Sequence, residues 1–215
     1  MKKAIICFTR VPKPGKTKTR LMGRFSGEQC ATLHWAFLRD LQTVYTQVDA
    51  DLFIAHTPDS GWEDLQDIFP KGVCFPQEGA DLGARMNHAL NIVLSKGYDA
   101  CILTGADLPL LTAEHLQQGF LALEQADITL GPTSDGGYYL VGVKAPSPFL
   151  FKNQTYGSGS VFDNTVSAVR AAGKSFLPAP SCDDVDTPED LKMLLQALNP
   201  ASHTAAFLRE LGETI

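Results

Sequence analysis

Long apolar runs are missing from the sequence, and none approaches the roughly 20 residues that a membrane-spanning helix needs. The first apolar segment follows two lysines but stops at Thr9, which makes it too short for a signal peptide. We therefore expect no membrane span, and we take a cytoplasmic location as the default.

Cysteine and histidine are both scarce. The five cysteines are scattered, odd in number and without a Cys-x-x-Cys pair, so they indicate neither a disulfide framework nor a zinc site. The five histidines form no pair with metal-ligand spacing. No Ser/His/Asp or Cys/His arrangement for nucleophilic catalysis is visible, and neither repeats nor low-complexity segments occur.

Positive charge is also in deficit. The net charge is -6 at pH 7, which argues against general nucleic-acid binding. Six of the 18 basic residues nevertheless fall in one short segment near the start of the sequence. They are Arg10, Lys13, Lys16, Lys18, Arg20 and Arg24. Such a concentration in an acidic protein indicates a small anionic ligand rather than a long polyanion.

Alternating strand-like and helix-like segments occupy most of the chain. At 215 residues and 44% hydrophobic content, the chain can form one domain with a substantial core. We predict strands over 3–8, 51–56, 72–75, 100–103, 128–130, 138–143 and 175–177, with helices opened by Ser26, Ser60, Asp81, Thr112, Ser160 and Thr187. This alternation predicts a three-layer α/β/α sandwich with a mostly parallel sheet. The tight turn before 138–143 favours an antiparallel strand there, and we predict a peripheral helix over 199–215 of the single domain 1–215.

The apolar run over 100–103 predicts a strand buried on both faces, followed by Gly105, Asp107 and Pro109. Ligands of open parallel sheets bind beyond the carboxyl ends of the strands, so Asp107 is placed to hold a hydrated cation. Alternatively, Asp107 only caps a turn, because Asp-x-Pro is common in turns.

The basic segment contains Gly15-Lys16-Thr17 but is not a P-loop, because Arg10 stands where that motif needs its first glycine. A proline-stiffened loop after a strand still suits phosphate oxygens, with Gly15 allowing close approach and Lys16, Lys18 and Arg20 supplying charge. The alternative is a solvated surface loop.

An acidic segment, 183–186, precedes a well-defined predicted helix start. Asp184 and Asp186 alternate as in an extended chain, so their side chains could share one face. Magnesium usually takes one or two carboxylates and completes its shell with water and substrate phosphates, so Asp107 with one of these acids fits. Alternatively, the acids only stabilise the helix dipole, although three acids upstream of the helix exceed what capping needs.

Two further segments are weaker signals. Asp135-Gly136-Gly137-Tyr138 would let a ligand approach the backbone beside an aromatic ring, but a hairpin turn explains Asp-Gly equally well. Asp81 opens a helix that could face a ligand, with Arg85 one turn inside it. Alternatively, Arg85 pairs with Asp81 at i,i+4.

Five ordered motifs together carry a family resemblance. They are F-x-R-x-P-x-x-G-K-T-K-T-R-L at 8–21, G-x-D-L-G-x-R-M at 79–86, G-A-D-L-P at 105–109, G-P-x-x-D-G-G-Y-Y-L at 131–140 and D-V-D-T-P-E-D-L at 184–191. This set resembles a bacterial family of small GT-A-fold proteins called glycosyltransferases, of the nucleotide-diphospho-sugar transferase superfamily. That family is distantly similar to 2-phospholactate guanylyltransferases, and the resemblance covers residues 3 to about 198.

The resemblance implies a Rossmann-like GT-A fold and a transferase dependent on Mg²⁺ or Mn²⁺. It implies nucleotide phosphates at Arg10, Gly15, Lys16, Lys18 and Arg20, and an acceptor at Asp81, Arg85, Gly136, Gly137 and Tyr138. It also implies catalytic roles for Asp107 and Asp135, and metal binding by Asp107 with Asp186 or Asp184.

Three functions are compatible with these parts. We expect glycosyl transfer from a nucleotide-diphospho-sugar to a small-molecule acceptor. The alternative is nucleotidyl transfer from a nucleoside triphosphate to a phosphorylated small molecule, which would release pyrophosphate. A non-catalytic nucleotide-binding module is the third.

Overall fold

A seven-stranded sheet forms the middle layer of the molecule, with the strand order β3-β2-β1-β4-β6-β5-β7. The strands are β1 (Lys3–Thr9), β2 (Asp51–His56), β3 (Val73–Pro76), β4 (Ala100–Thr104), β5 (Ile128–Pro132), β6 (Tyr138–Val143) and β7 (Phe176–Pro178). The structure is a computed structural model that describes residues 1–214. All seven predicted strands are present, and the predicted α/β sandwich is confirmed.

Only β6 runs against the other strands of the described sheet. It pairs antiparallel with β4 and with β5, whereas β1 pairs in parallel with β2 and with β4. The antiparallel strand predicted after the tight turn is confirmed. The carboxyl ends of β1, β4 and β5 and the first residue of β6 therefore meet at one edge of the sheet.

Helices cover both faces of the sheet. They are α1 (Gly27–Tyr45), α2 (Glu63–Ile68), α3 (Leu82–Leu94), α4 (Ala113–Gln125), α5 (Val161–Ala171), α6 (Pro188–Ala197) and α7 (His203–Glu210), with short 3-10 turns at Thr19–Leu21 and Pro148–Phe151. Ser26 and Thr187 open α1 and α6, as predicted, and each forms a capping box.

The predicted cap at Ser60 is wrong. Trp62 occupies the N-cap position of α2 and makes no side-chain capping bond. Gly61 adopts φ +85, which turns the chain between Ser60 and the helix. The Ser60 hydroxyl instead accepts a hydrogen bond from Lys13 Nζ at 3.1 Å. Ser160 is the N-cap residue of α5, as predicted, but its hydroxyl accepts a hydrogen bond from Asn164 Nδ2 at 3.3 Å and makes no capping bond to the backbone.

Alternate residues of the central strands pack into two hydrophobic cores. Ile5 of β1 and Ile102 of β4 face the core under α1, α2 and α4. Ile6 and Leu103 face the other core, under α3 and α5. Complete burial of such side chains stabilises the fold by about 1.5–3 kcal/mol each, which makes the central strands a rigid base for the loops at their ends.

A third hydrophobic cluster joins α1 to α6 and α7. Ala205 and Leu208 of α7 are fully buried in it. The helix predicted over 199–215 is present as the shorter α7, and the prediction that it is peripheral is wrong, because its apolar face packs into this cluster; Ile215 lies outside the described residues. No helix within residues 1–214 has the length and apolar character needed to cross a membrane.

Candidate active site

A cleft of about 460 Å³ opens at the edge of the sheet where β1, β4 and β5 end and β6 begins. Most of the residues that we predicted for the site line this cleft. They are Arg10, Arg20, Arg85, Asp107, Asp135, Gly137, Tyr138, Asp184 and Asp186. Basic residues of the loop after β1 and acids from two distant segments thus meet at one rim.

Several predicted residues lie outside the cleft lining. The Lys16 side chain is exposed, and its carbonyl accepts a hydrogen bond from Arg10 Nη1 at 3.0 Å. Gly15 lies against Gly27 at the start of α1, where an added Cβ on Gly27 would come within 2.8 Å of Gly15 N. Phosphate contacts of Gly15 and Lys16 therefore stay predictions.

Two acceptor-side predictions also fall on residues with structural contacts. Asp81 caps α3 by accepting a hydrogen bond from Ala84 N at 2.7 Å. Gly136 adopts φ +83 and packs so closely on the Gly159 carbonyl that a side chain there would overlap it. Both residues therefore support the backbone of the cleft wall without lining the cleft themselves.

The Lys18 ammonium is buried beneath the rim, with 2% of its side chain exposed. Its Nζ lies 2.5 Å from Asp107 Oδ1 and 3.0 Å from Asp186 Oδ1, and donates to the Val185 carbonyl at 2.6 Å. Of the three donors of this ammonium group, two make hydrogen bonds, to Val185 O and Asp186 Oδ1, while Asp107 Oδ1 lies at ion-pair distance. The acids predicted to bind metal and the lysine predicted to bind phosphate are therefore in direct contact with one another.

His34 of α1 completes the surroundings of Asp107. It is 2% exposed, and its Nδ1 lies 3.0 Å from Asp107 Oδ1. Its Nε2 lies 3.2 Å from the Thr9 hydroxyl. Burial acts to raise the pKa of Asp107, but the charges of Lys18 and His34 outweigh it and hold that pKa well below its ordinary value. Asp107 is thus an ionised carboxylate throughout the physiological pH range.

Sequence reasoning missed His34. The residue stands on the buried face of a long amphipathic helix, where a lone histidine is indistinguishable from a core residue. The signal that would have found it is tertiary: α1 crosses beneath the end of β4.

Negative charge exceeds positive charge on the acidic side of the cleft. Burial, together with the charges of Asp186, Asp107 and Asp135, raises the pKa of Asp184 to about 6. Arg20 Nη1 lies 3.7 Å from Asp186 Oδ2, but its side chain is 72% exposed and compensates only weakly. The cluster therefore favours an additional cation.

The opposite wall is built around the turn between β5 and β6. Asp135 Oδ1 accepts hydrogen bonds from the Thr133 hydroxyl at 2.5 Å and from Gly137 N at 2.9 Å. The hairpin-turn alternative thus applies to Asp135, which also lines the cleft. Tyr138 and Tyr156 stand beside this turn, and both hydroxyls are buried without a hydrogen-bond partner among the described residues.

Arg85 reaches the cleft from the first turn of α3. Its Nε donates to the Gly79 carbonyl at 3.1 Å, and the ion pair with Asp81 that we weighed as an alternative is not formed within the described structure. Arg85 thus lines the cleft from α3, whereas Arg10 and Arg20 line it from the loop after β1.

The carboxylate oxygens in the cleft are ligands of the chemical type that magnesium prefers. No group of three or more His, Cys, Asp or Glu side chains within residues 1–214 is arranged to hold a metal ion by itself. Magnesium needs only one or two carboxylates when substrate phosphates and water complete its shell. Asp184 and the carboxylate oxygens of Asp107 and Asp186 that Lys18 leaves free match that requirement.

Comparison with known proteins identifies the class. The structure superimposes with a TM-score of 0.91 on a protein of Desulfovibrio desulfuricans G20 described as a nucleotide-diphospho-sugar transferase. The two sequences are 34% identical, and the match covers 99% of this chain and 96% of that one.

Two curated relatives are guanylyltransferases. The phosphoenolpyruvate guanylyltransferase of Sphaerobacter thermophilus is 26% identical over 203 residues, which cover 88% of this chain and 91% of the relative. The 2-phospho-L-lactate guanylyltransferase of Methanosarcina mazei is 32% identical over 113 residues, and this match spans only about half, 51%, of each chain.

The fold and these relatives define the protein as a nucleotide-dependent transferase, as the sequence predicted. Residues 40–158 match a family described as "Uncharacterized protein conserved in bacteria (DUF2064)". The chain belongs to that family.

Proposed function

We propose that the protein transfers a nucleoside monophosphate from a nucleoside triphosphate to a phosphorylated small molecule and releases pyrophosphate. The observation that carries the proposal is the meeting of Arg10 and Arg20 with the acids Asp107, Asp184 and Asp186 at the rim of one cleft. A bound triphosphate needs positive side chains at its phosphate oxygens and, close by, negative side chains at the cation that accompanies it. From the sequence we ranked glycosyl transfer ahead of nucleotidyl transfer, and the proposal reverses that ranking.

The relatives support this choice. Both curated enzymes are named for guanylyl transfer to a phosphorylated three-carbon acid, either 2-phospho-L-lactate or phosphoenolpyruvate. We therefore propose GTP as the first donor to test and small phosphorylated carboxylic acids as the first acceptors.

In the proposed reaction a phosphate oxygen of the acceptor attacks the α-phosphorus of the triphosphate. A new P–O–P bond forms, the bond between the α-phosphorus and the bridging oxygen breaks, and that oxygen leaves with pyrophosphate. An acceptor phosphate is already ionised at pH 7, because its second pKa is about 6. The nucleophile therefore needs no general base, in agreement with the lack of any recognisable nucleophile–base pair in the sequence.

On the donor side, Arg10 and Arg20 would bind the triphosphate oxygens, with Gly15, Lys16 and Lys18 supporting the loop that carries them. Arginine can contact two phosphate oxygens at once and so fixes their orientation. Charge on the leaving pyrophosphate is the main electrostatic demand of the transition state, which makes this loop a catalytic element as well as a binding one.

Asp107, Asp184 and Asp186 would hold Mg²⁺ or Mn²⁺ that enters with the nucleotide. When bound, such a cation supplies charge neutralisation to the phosphates and the leaving group. The low pKa of Asp107 keeps this carboxylate ionised for that role.

On the acceptor side, Arg85, Gly137 and Tyr138 would bind the phosphorylated acid, with Asp81 and Gly136 fixing the backbone around them. Arg85 comes from α3 and not from the loop that carries Arg10 and Arg20, so the donor and acceptor phosphates would each have their own cation. Asp135 would orient this wall through its hydrogen bonds to Thr133 and Gly137.

Glycosyl transfer from a nucleotide-diphospho-sugar is the second candidate. The relative from Desulfovibrio desulfuricans G20, matched over almost the whole of both chains, supports it by its description. The same basic loop would then stabilise a nucleoside diphosphate as the leaving group.

The products separate the two candidates. The purified protein is incubated with Mg²⁺ and GTP plus phosphoenolpyruvate or 2-phospholactate, and in parallel with nucleotide-sugars, and the products are identified by ³¹P NMR and mass spectrometry. Pyrophosphate with a guanylylated acceptor supports the proposal, whereas a released nucleoside diphosphate from a nucleotide-sugar contradicts it.

The variant Asp107→Asn tests whether the cleft is the reaction site. It should lose turnover and Mg²⁺-dependent nucleotide binding, because the neutral amide is a poor metal ligand. Asp67→Asn, which changes an exposed carboxylate on α2, is the matched control and should behave as the wild type.

A further inference from the structure

In the loop after β1, Lys18 is the one lysine whose side chain points into the protein. We propose that Lys18 is a positioning residue. Its ammonium occupies the space between the Asp107 and Asp186 carboxylates, holds both acids at the rim, and keeps a divalent cation out of that space in the nucleotide-free protein. The inference rests on the proposed function only in the expectation that a metal later enters with the nucleotide.

The contacts of Lys18 define the position of both acids. Asp107 follows β4 and Asp186 precedes α6, so the two carboxylates come from segments far apart in the sequence. A single Nζ lies 2.5 Å from one and 3.0 Å from the other. Two carboxylates this close would repel each other without a cation between them.

The backbone of Lys18 supports a specific role. The residue adopts φ 50 and ψ 42, a left-handed conformation that non-glycine residues rarely take. Local hydrogen bonds maintain it, since Leu21 N donates to the Lys18 carbonyl at 2.9 Å and Lys13 N donates to the Thr17 hydroxyl at 2.8 Å. This conformation turns the Lys18 side chain inward, away from the direction of the exposed Lys16.

The surroundings leave the ammonium no alternative partner. Phe37 of α1 lies 5.3 Å from Lys18 Nζ, with its ring facing the charge. His34, one turn earlier on the same helix, contacts Asp107. With 2% of its side chain exposed, Lys18 cannot exchange its carboxylate partners for water.

A built-in ammonium has a direct consequence for metal binding. A divalent cation placed between Asp107 and Asp186 would lie beside a positive charge, and the acceptor atoms facing Lys18 are already in use. Removing the ammonium therefore leaves two carboxylates converging on one space, with only His34 and the largely exposed Arg20 beside them. That arrangement should bind a divalent cation directly, without a nucleotide.

Titration with Mn²⁺, followed by the electron paramagnetic resonance signal of the free ion, tests this on nucleotide-free protein. Wild type should bind Mn²⁺ weakly, whereas Lys18→Met should bind a single Mn²⁺ at least about tenfold more tightly. Lys18→Gly should do the same, and it keeps the left-handed backbone without strain. Lys13→Met, in the same loop, is the control and should match the wild type, because the Lys13 ammonium donates to the Ser60 hydroxyl and not to the acids.

Lys18→Arg separates charge from packing. It keeps the positive charge and should retain the weak Mn²⁺ binding of the wild type. Equal Mn²⁺ affinity in wild type and in both neutral variants would overturn the proposal, as would tight binding by Lys18→Arg. Because the titration contains neither nucleotide nor acceptor, its result is independent of whether the wild type releases pyrophosphate, and the two proposals can fail separately.

Discussion

The backbone N–H of Val185 donates a hydrogen bond to the carbonyl of Asp107 at 2.9 Å. This bond joins the loop after β4 to the segment before α6 at the level of the main chain. Asp184 and Asp186, the neighbours of Val185, are thereby held beside Asp107 whatever their side chains do. The acid cluster is consequently a property of the fold, and single substitutions in it should alter charge without displacing the loops.

The basic loop should contribute unequally to phosphate binding. Arg20→Ala should weaken GTP binding about tenfold, or ~1.4 kcal/mol, and leave guanosine binding unchanged, because Arg20 lines the cleft and lies near Asp186. Lys16→Ala should cost less, since the Lys16 side chain lies outside the cleft lining. Isothermal titration calorimetry with both ligands measures this. Equal losses for guanosine and GTP would indicate a folding defect instead.

The junction between α1 and α7 should be a determinant of stability. Asp40 accepts hydrogen bonds from His203 N at 2.7 Å, Thr204 N at 3.0 Å and the Thr204 hydroxyl at 2.5 Å. Asp40→Ala should therefore lower the free energy of unfolding by about 2 kcal/mol, measured by urea denaturation. Asp67→Ala, at an exposed position of α2, should change it little. A loss no larger than that of the control would show that α7 is held by its apolar contacts alone.

The charge of Asp184 should make stability depend on pH. In the folded protein its pKa is raised to about 6, so the folded state binds a proton that the unfolded chain, with an ordinary carboxyl pKa, has already released. The contribution of Asp184 to stability therefore falls as pH rises from about 4 to about 6.

Asp184→Asn removes this titration. Relative to wild type, the variant should gain about 1 kcal/mol of unfolding free energy at pH 7.5, after allowance for solvent screening, and no such gain at pH 4. Urea denaturation at several pH values measures the difference. Parallel curves for the two proteins across this range would contradict the assignment.

The sequence predicted the architecture well because local signals agreed with one another. The apolar run over 100–103, ended by Gly105 and Pro109, identified β4, and the capping boxes at Ser26 and Thr187 located two helix starts. Asp107 and the acids before α6 could be placed at one edge because parallel strands expose their carboxyl ends together.

Burial of polar side chains could not be predicted in the same way. Lys18 looked like any exposed lysine of a basic loop, and only the left-handed turn at this residue directs it inward. His34 was overlooked because Asp107, which it contacts, is distant in sequence, and Tyr156 because it lies in an irregular segment that the fold brings to the cleft. The motifs also could not decide between nucleotidyl transfer and glycosyl transfer, since the same charges suit pyrophosphate and a nucleoside diphosphate as leaving groups.

Because β6 runs antiparallel to its neighbours, the two walls of the cleft come from different parts of the sequence. The groups that we propose for the nucleotide and its cation follow β1 and β4 or precede α6, whereas the hairpin between β5 and β6 forms part of the opposite wall. That hairpin is bonded to the segments that carry the acids, because Ser134 N in its turn donates to Asp183 Oδ1 at 2.7 Å and Gly105 N, after β4, donates to the Tyr139 carbonyl at 3.1 Å. A replacement or lengthening of this turn should therefore shift both walls of the cleft, so the shape of one wall and the position of the charges on the other are linked.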